Sequence, residues 1–309
     1  MHNHILFWVI FSALIIGMFY IDLYVTERRK GKIGIKSSLK WSGIWISAAL
    51  FFNLLILLFL ENGQQKAIEY LAGYLVEKSL SVDNLFVFLM IFSVMGIKDE
   101  NQPHVLKWGI ISAIIMRIIF ILAGITLIKL FHPIIYFFGV LLIYAAYKMA
   151  FGEDAQIDLK NNKIVKFISK FFNIKTDYKG KNFFIKQSGK IFFTPIFLTF
   201  ILIESADVIF NIDSIPAVIA ITTDSFIVIT SNIFAILGLR ALYFALAGIV
   251  DLFKYLKYGV AIILTYVGFK MLITDYYEIP TLISLGFIIF CLIISIIISL
   301  LFRKKHVSA

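Results

Sequence analysis

The chain has 309 residues, of which 61% are hydrophobic and 16% charged, and its mean hydropathy is +0.93. That composition excludes an ordinary soluble domain and predicts an all-α, polytopic membrane protein embedded in a lipid bilayer. The formal charge of +10 does not point to nucleic acid as a partner. The lysines and arginines gather in short segments beside apolar runs, without aromatic interleaving, where they orient helices in a membrane. The single cysteine, Cys291, excludes an intrachain disulfide and a thiolate metal cage.

Nine apolar runs approach the roughly 20 residues that a bilayer crossing requires. They extend over Ile5 to Val25, Trp41 to Leu60, Ile68 to Ile97, Val105 to Leu130, Pro133 to Phe151, Ile191 to Ile221, Phe226 to Val250, Leu252 to Ile273 and Pro280 to Phe302. The whole reads as one transmembrane domain. Two N-terminal helices and a basic loop occupy 1–67, a three-helix unit 68–151, a lysine-rich loop 152–190, a second three-helix unit 191–273, and a C-terminal helix with a basic tail 274–309. The first run has its basic cluster after the apolar stretch, the reverse of a cleavable signal, so it is expected to remain.

Orientation follows from the basic clusters. Arg28 to Lys40, the loop from Lys160 to Lys190, Lys254 with Lys257, and Arg303 to Lys305 all fall on one side of a nine-span thread. The positive-inside rule makes that side the cytoplasm of a plasma (inner) membrane, with the N-terminus outside and the C-terminus inside.

Two acidic stretches repeat within this frame. Glu77-Lys78-Ser79-Leu80-Ser81-Val82-Asp83-Asn84 in span three is answered by Asp207-Val208-Ile209-Phe210-Asn211-Ile212-Asp213-Ser214 in span six. Arg117 and Arg240, mid-way along spans four and seven, echo each other, as do Tyr147-Lys148-Met149 and Phe269-Lys270-Met271. Spans three to five and six to eight are thus expected to form an inverted repeat of two three-helix units, the pattern in which secondary transporters bind substrate near the midplane. Glu77, Ser81 and Asn84 share one helical stripe; Asp207, Asn211 and Ser214 share another, which Glu204 joins. Asp83 and Asp213 point about 120° away in an ideal helix. They converge on the same site only if a helix breaks, and Pro216 is the expected cause of a break in span six.

Ionisable groups at membrane depth mark function by default. Carboxylate, amide and hydroxyl oxygens suit a hard divalent cation such as Mn²⁺, Mg²⁺ or Ca²⁺. The competing account has the carboxylates pairing with Arg117 and Arg240 to pin helices together. Five acids (Glu77, Asp83, Glu204, Asp207, Asp213) against two arginines leave negative charge for a cation or protons to balance. Elsewhere, Asp22 near the inner end of span one either pairs with the basic loop, the favoured reading, or approaches the site; Asn53 is expected to bond between helices, and Lys148 and Lys270 to snorkel. Thr230, Ser231 and Asn232 either line an outer vestibule or pack between helices. No phosphate-binding glycine loop and no nucleophile with a base partner is present, so neither an enzyme nor a permanently bound cofactor is expected.

The strings EKSLSVDNLFVF (77–88), IESADVIFNIDSIPAVIAIT (203–222) and FIVITSNIFAILGLRALYF (226–244) closely resemble the TerC family of integral membrane proteins, named for tellurium resistance. The resemblance covers most of the chain from the second span onward. It implies manganese homeostasis, by export of Mn²⁺ or by its delivery to exported metalloprotein clients. It also implies that the family's motif positions fall on Glu77, Asp83, Asn84, Asp207, Asp213 and Ser214. Where relatives often have a threonine pair before aspartate, this chain has Glu204-Ser205-Ala206-Asp207, which keeps the carboxylates. Moving a divalent cation outward against 100 mV costs about 4.6 kcal/mol, twice the ~2.3 per elementary charge. Protons are therefore the expected counter-ion. Holding metal for clients without carrying it is the alternative, and export of an oxyanion or organic solute a weaker one.

Overall fold

The computed structural model describes residues 2–27, 35–151, 180–187, 190–247, 256–277 and 279–301. Among these described residues, ten helices and one hairpin follow in chain order: α1 His2–Glu27, α2 Ile35–Phe59, α3 Gly63–Val94, α4 Gln102–Leu130, α5 Ile134–Phe151, β1 Phe184–Gln187, β2 Lys190–Phe193, α6 Pro195–Ile219, α7 Ser225–Ile236, α8 Leu239–Leu246, α9 Leu256–Leu272 and α10 Thr281–Leu301. Among the described residues, seven segments are long and apolar enough to cross a membrane: Ile5–Asp22, Ile35–Phe59, Gln102–Leu130, Ile134–Phe151, Pro195–Ile219, Ser225–Leu246 and Thr281–Leu301. The chain is an integral membrane protein. Large apolar side chains such as Ile16, Leu58, Ile119, Phe151 and Phe290 remain exposed around its rim, where lipid rather than water is the natural contact.

α3 has 32 residues, about 48 Å of helix at 1.5 Å per residue, well beyond a hydrocarbon core of about 30 Å. It runs through the middle of the molecule and packs against α2, α6, α7 and α10. α7 is buried along almost its whole length, from Phe226 to Ile236. Two apolar clusters divide the interior. One gathers Phe7, Phe11, Phe52, Tyr70, Phe226 and Phe234 around α1, α2 and α7; the other gathers Leu80, Leu85, Phe92, Leu142, Leu246 and Leu264 around α3, α5, α8 and α9. Glu77 of α3 lies where the two adjoin, between Tyr74 of the first and Leu80 of the second.

Helix starts obey local chemistry. Asp224 caps α7 by accepting from the amides of Phe226 (2.9 Å) and Ile227 (3.4 Å), and Thr194 caps α6 by accepting from Phe197 (3.4 Å) just ahead of Pro195.

Several expectations need correction. Span six does not begin at Ile191: β1 and β2 pair antiparallel, Phe184 opposite Phe193 and Gln187 opposite Lys190, and the helix starts at Pro195. The C-terminal end of the expected loop is therefore a hairpin, anchored by Phe183 against Phe197 and Phe200. Pro216 does not break α6. It removes one amide donor three residues before the helix end, and the last turn closes past it, with Ala220 N donating to Pro216 O at 2.9 Å. The break falls instead in span seven. Leu237 adopts an extended conformation and Gly238 has φ +82°, separating α7 from α8. A left-handed residue without a Cβ ends one helix cheaply where a proline near a terminus need not. The basic cluster at 28–32, most of the lysine-rich loop, Lys254, and Arg303 to Lys305 lie outside the described residues.

Candidate functional site

Each predicted stripe forms an intrahelical bond of the same kind. Ser81 Oγ donates to Glu77 Oε1 at 3.2 Å, and Asn211 Nδ2 donates to Asp207 Oδ2 at 3.2 Å, both four residues along the helix. Glu77, fully buried, also pairs with Arg117 of α4. The same guanidinium donates from Nη1 to Asn232 Oδ1 of α7 at 3.1 Å, and Asn232 in turn donates to Val228 O at 2.8 Å. Asp207 lies within electrostatic reach of both Arg117 and Glu77. Residues from α3, α4, α6 and α7 therefore share one buried polar network.

Beside this network is a pocket lined by Ser81, Asn84, Arg117, Glu204, Asp207 and Arg240, with an apolar wall that includes Leu85, Phe88, Ile110, Ile203 and Ile236. Gly109 of α4 gives Glu204 its room: a Cβ there would stand 3.4 Å from Glu204 Oε1. Ser112, close by, gives its hydroxyl proton to the carbonyls of Trp108 (2.9 Å) and Gly109 (3.0 Å). That same hydroxyl is near enough to donate to Glu204 instead; with its proton on the carbonyls, neither buried oxygen of Glu204 has a partner, nor do Glu77 Oε2, Asn211 Oδ1 and Ser214 Oγ. Buried oxygens left in that state are costly, and water, a proton or a cation is what satisfies them.

Of the predicted site residues, the structure brings Glu77, Ser81, Asn84, Glu204, Asp207, Asn211, Arg117 and Arg240 into or against one pocket and network. Ser214 is buried further along α6, and Pro216 lies one turn from that helix's end. The backbone is helical through Asp83 and Asp213, whose side chains lie outside the described residues. Among the described residues, no group of three or more His, Cys, Asp and Glu is close enough to hold a metal.

Arg240 departs from expectation. It pairs with Asp22 of α1, Nε to Oδ2 at 3.3 Å, and also donates to the Asp22 main-chain oxygen. Asp22 thus approaches the site, one of its two sequence readings, as a buried counter-charge to an arginine that lines the pocket; the basic cluster of the other reading lies outside the described residues. Thr230 and Ser231 line no vestibule: both are fully buried and bond the carbonyls of Phe226 (2.7 Å) and Val228 (3.2 Å) in their own helix. Lys270 reaches Ser284 Oγ at 3.3 Å, and Asn53 Oδ1 has no partner. The sequence reading gave no role to Lys78, the neighbour of Glu77, whose Nζ donates to Ala235 O at 3.0 Å and Leu237 O at 3.5 Å. A charged residue amid an apolar run was the available signal.

Fold and site together define a polytopic helical membrane protein with a buried carboxylate–arginine network. Residues 62–307 match the sequence model described as the integral membrane protein TerC family. The protein named Alx in Escherichia coli (strain K12), described there as a proposed membrane-bound redox modulator, is 40% identical over 308 residues, covering 97% of this chain and 96% of the relative. An uncharacterized membrane protein of Rickettsia felis is 40% identical over 301 residues, covering 97% and 99%. This chain belongs to the TerC family. No solved structure matches it.

Proposed function

We propose that this protein is a membrane transporter that exports a divalent cation, Mn²⁺, from the cytoplasm in exchange for protons. The observation that carries the reading is the set of buried, unpartnered oxygens on Glu77, Glu204 and Asn211 around Asp207. These are hard donors, and they suit Mn²⁺ with part of its water shell retained. Carboxylates of this kind can be protonated when metal leaves, which provides an exchange mechanism and balances the membrane work of about 4.6 kcal/mol per 100 mV. Arg117 would hold Glu77 in place, leaving Glu204 and Asp207 as the carboxylates that alternate between proton and metal.

The proposed architecture is nine spans in a plasma membrane, N-terminus outside and C-terminus in the cytoplasm, with α3 to α5 and α6 to α9 as inverted repeats. Two features support the repeat. The Ser81–Glu77 and Asn211–Asp207 bonds match. α5 and α9 also meet reciprocally: a Cβ on Gly139 would stand 2.9 Å from Gly268 O, and one on Gly268 would stand 2.7 Å from Gly139 O. The redox description of the relatives fits no dithiol couple within one chain, since Cys291 is the sole cysteine. Control of manganese supply is the redox role open to it. No enzymatic step is proposed.

The test is Mn²⁺ flux in proteoliposomes, with and without an inward proton gradient, for the wild type and Glu204→Gln. Gradient-driven flux that falls about tenfold or more in the variant is expected. Mn²⁺ bound without flux would favour a partner that supplies metal to exported proteins. Neither binding nor flux would overturn the reading.

A further inference from the structure

The break between α7 and α8 exposes main-chain oxygens inside the span Ser225–Leu246. Leu237 N still donates to Ile233 O at 2.9 Å, and the chain then turns away at φ −60°, ψ 133° before Gly238 opens α8. Among the described residues, no main-chain amide outside a helix donates to Ala235 O or Leu237 O. Away from water such carbonyls need a donor or a cation. The C-terminal end of a helix also carries partial negative charge, which adds to the attraction. The Lys78 amine lies between these two oxygens, at 3.0 Å and 3.5 Å. Lys78 comes from the middle of α3, next to Glu77, far from any helix end to which its side chain would snorkel.

In secondary transporters, unwound carbonyls and half-helix C-terminal ends are where a coupling Na⁺ is coordinated. We propose that the carbonyl end of α7 is a monovalent-cation site whose resident ion is the tethered Lys78 ammonium. A covalently supplied ion neither dissociates nor depends on bulk concentration. The site therefore needs no sodium, and the break is held closed from α3. The adjacency of Glu77 and Lys78 places both fastenings on one helix: Glu77 holds α4 through Arg117, and Lys78 holds the end of α7. The corollary for transport, that flux is unchanged when Na⁺ is replaced by choline, rests on the export reading above. The site itself does not.

The deciding experiment is thermal unfolding of the purified full chain in detergent, wild type against Lys78→Ala, titrated with methylammonium, Na⁺ and tetramethylammonium at equal ionic strength. Loss of the tethered ion is expected to lower the variant's unfolding temperature by roughly 5 °C. Methylammonium or Na⁺, small enough to enter between the carbonyls, should restore most of it. Tetramethylammonium should not, and the wild type should respond to none of the three. Equal response to all three cations, or to none, would overturn the site and leave Lys78 as a plain helix fastener. If the alanine variant does not fold, Lys78→Met keeps the apolar stem without the charge and is judged by the same rule. Because metal flux is not the readout, failure of the export reading would leave the result intact.

Discussion

Two spans carry a buried arginine near mid-length, and they are built differently. α4 is one unbroken helix from Gln102 to Leu130, whose Arg117 is held by Glu77 and Asn232 from neighbouring helices. The span Ser225–Leu246 is two helices, with Arg240 in the first turn of α8 held by Asp22 of α1. An unbroken helix satisfies its own main chain, so neighbours need only answer the side-chain charge. A broken one adds main-chain polarity that must also be answered, here by Lys78. The fastening of the broken span is thus shared by α1, by α2, whose Trp45 packs on Gly238, and by α3. One side of the pocket is closed by one arginine with partners on two helices; the other depends on contacts from three helices to both side chain and main chain.

The largest effect should come from the Glu77–Arg117 pair. Glu77→Ala strands the Arg117 guanidinium, 1% exposed, with one carboxylate fewer, and should cost about 3–5 kcal/mol. Thermal unfolding in detergent should show this as a steep loss of folded protein. The double replacement Glu77→Leu with Arg117→Met removes both charges together and should be more stable than either single change. A double variant no better than Glu77→Ala alone would mean that the pair is not what closes this side.

Two glycines sharpen the contrast next. Gly238→Ala puts a Cβ on a residue with φ +82°, a strain of about 1–2 kcal/mol. That Cβ would also lie 2.5 Å from Trp45 Cδ1, adding roughly 1–3 kcal/mol of overpacking. Gly124→Ala in α4 has ordinary helical geometry; its Cβ would crowd only the end of the Ile219 side chain, at 2.8 Å, with Ile215 Cγ2 in ordinary contact at 3.6 Å. Its gain in helix propensity, about 1 kcal/mol, offsets the adjustment and leaves the change near neutral. Measured unfolding temperatures should separate the two variants clearly. Equal effects would show that the Gly238 turn is not a conformational requirement.

The sequence makes the membrane class legible because apolar run length is a direct consequence of bilayer thickness. The two stripes are legible because residues four apart on a helix must share a face, as the Ser81–Glu77 and Asn211–Asp207 bonds do. Identifying the partners of the arginines is a different problem. Arg117 and Asn232 are 115 residues apart and Arg240 and Asp22 are 218 apart, so no local pattern encodes either contact. The break was misplaced for a related reason. Proline is a visible helix breaker, but its effect depends on how many turns follow it, and only three residues follow Pro216 in α6. A glycine in an apolar run has no visible signature until a neighbour such as Trp45 takes up the space its missing Cβ leaves.

The smallest expected effect concerns whether α1 belongs to the site. α1 precedes the family-matched residues 62–307, yet Asp22 is buried and supplies the counter-charge of an arginine that lines the pocket. Asp22→Asn keeps the size of the side chain and one acceptor oxygen, and Arg240 keeps its bond to the residue 22 carbonyl. What is lost is one charge of a buried pair, while the retained side-chain oxygen and the main-chain carbonyl keep the guanidinium hydrogen-bonded, so the cost should stay below the roughly 3–5 kcal/mol of stranding a buried charge outright. The unfolding temperature should therefore fall less than it does for Glu77→Ala. On the export reading proposed above, Mn²⁺ flux separates the two roles that stability does not. If Asp22 only fastens α1, Mn²⁺ flux in proteoliposomes should stay near wild type. If Asp22 sets the charge of the pocket, an Arg240 guanidinium that has lost this carboxylate would repel a divalent cation approaching Glu204 and Asp207, and flux should fall while the protein stays folded. The buried position of Asp22 favours the second outcome, because a charge that far from water has little screening to hide its loss.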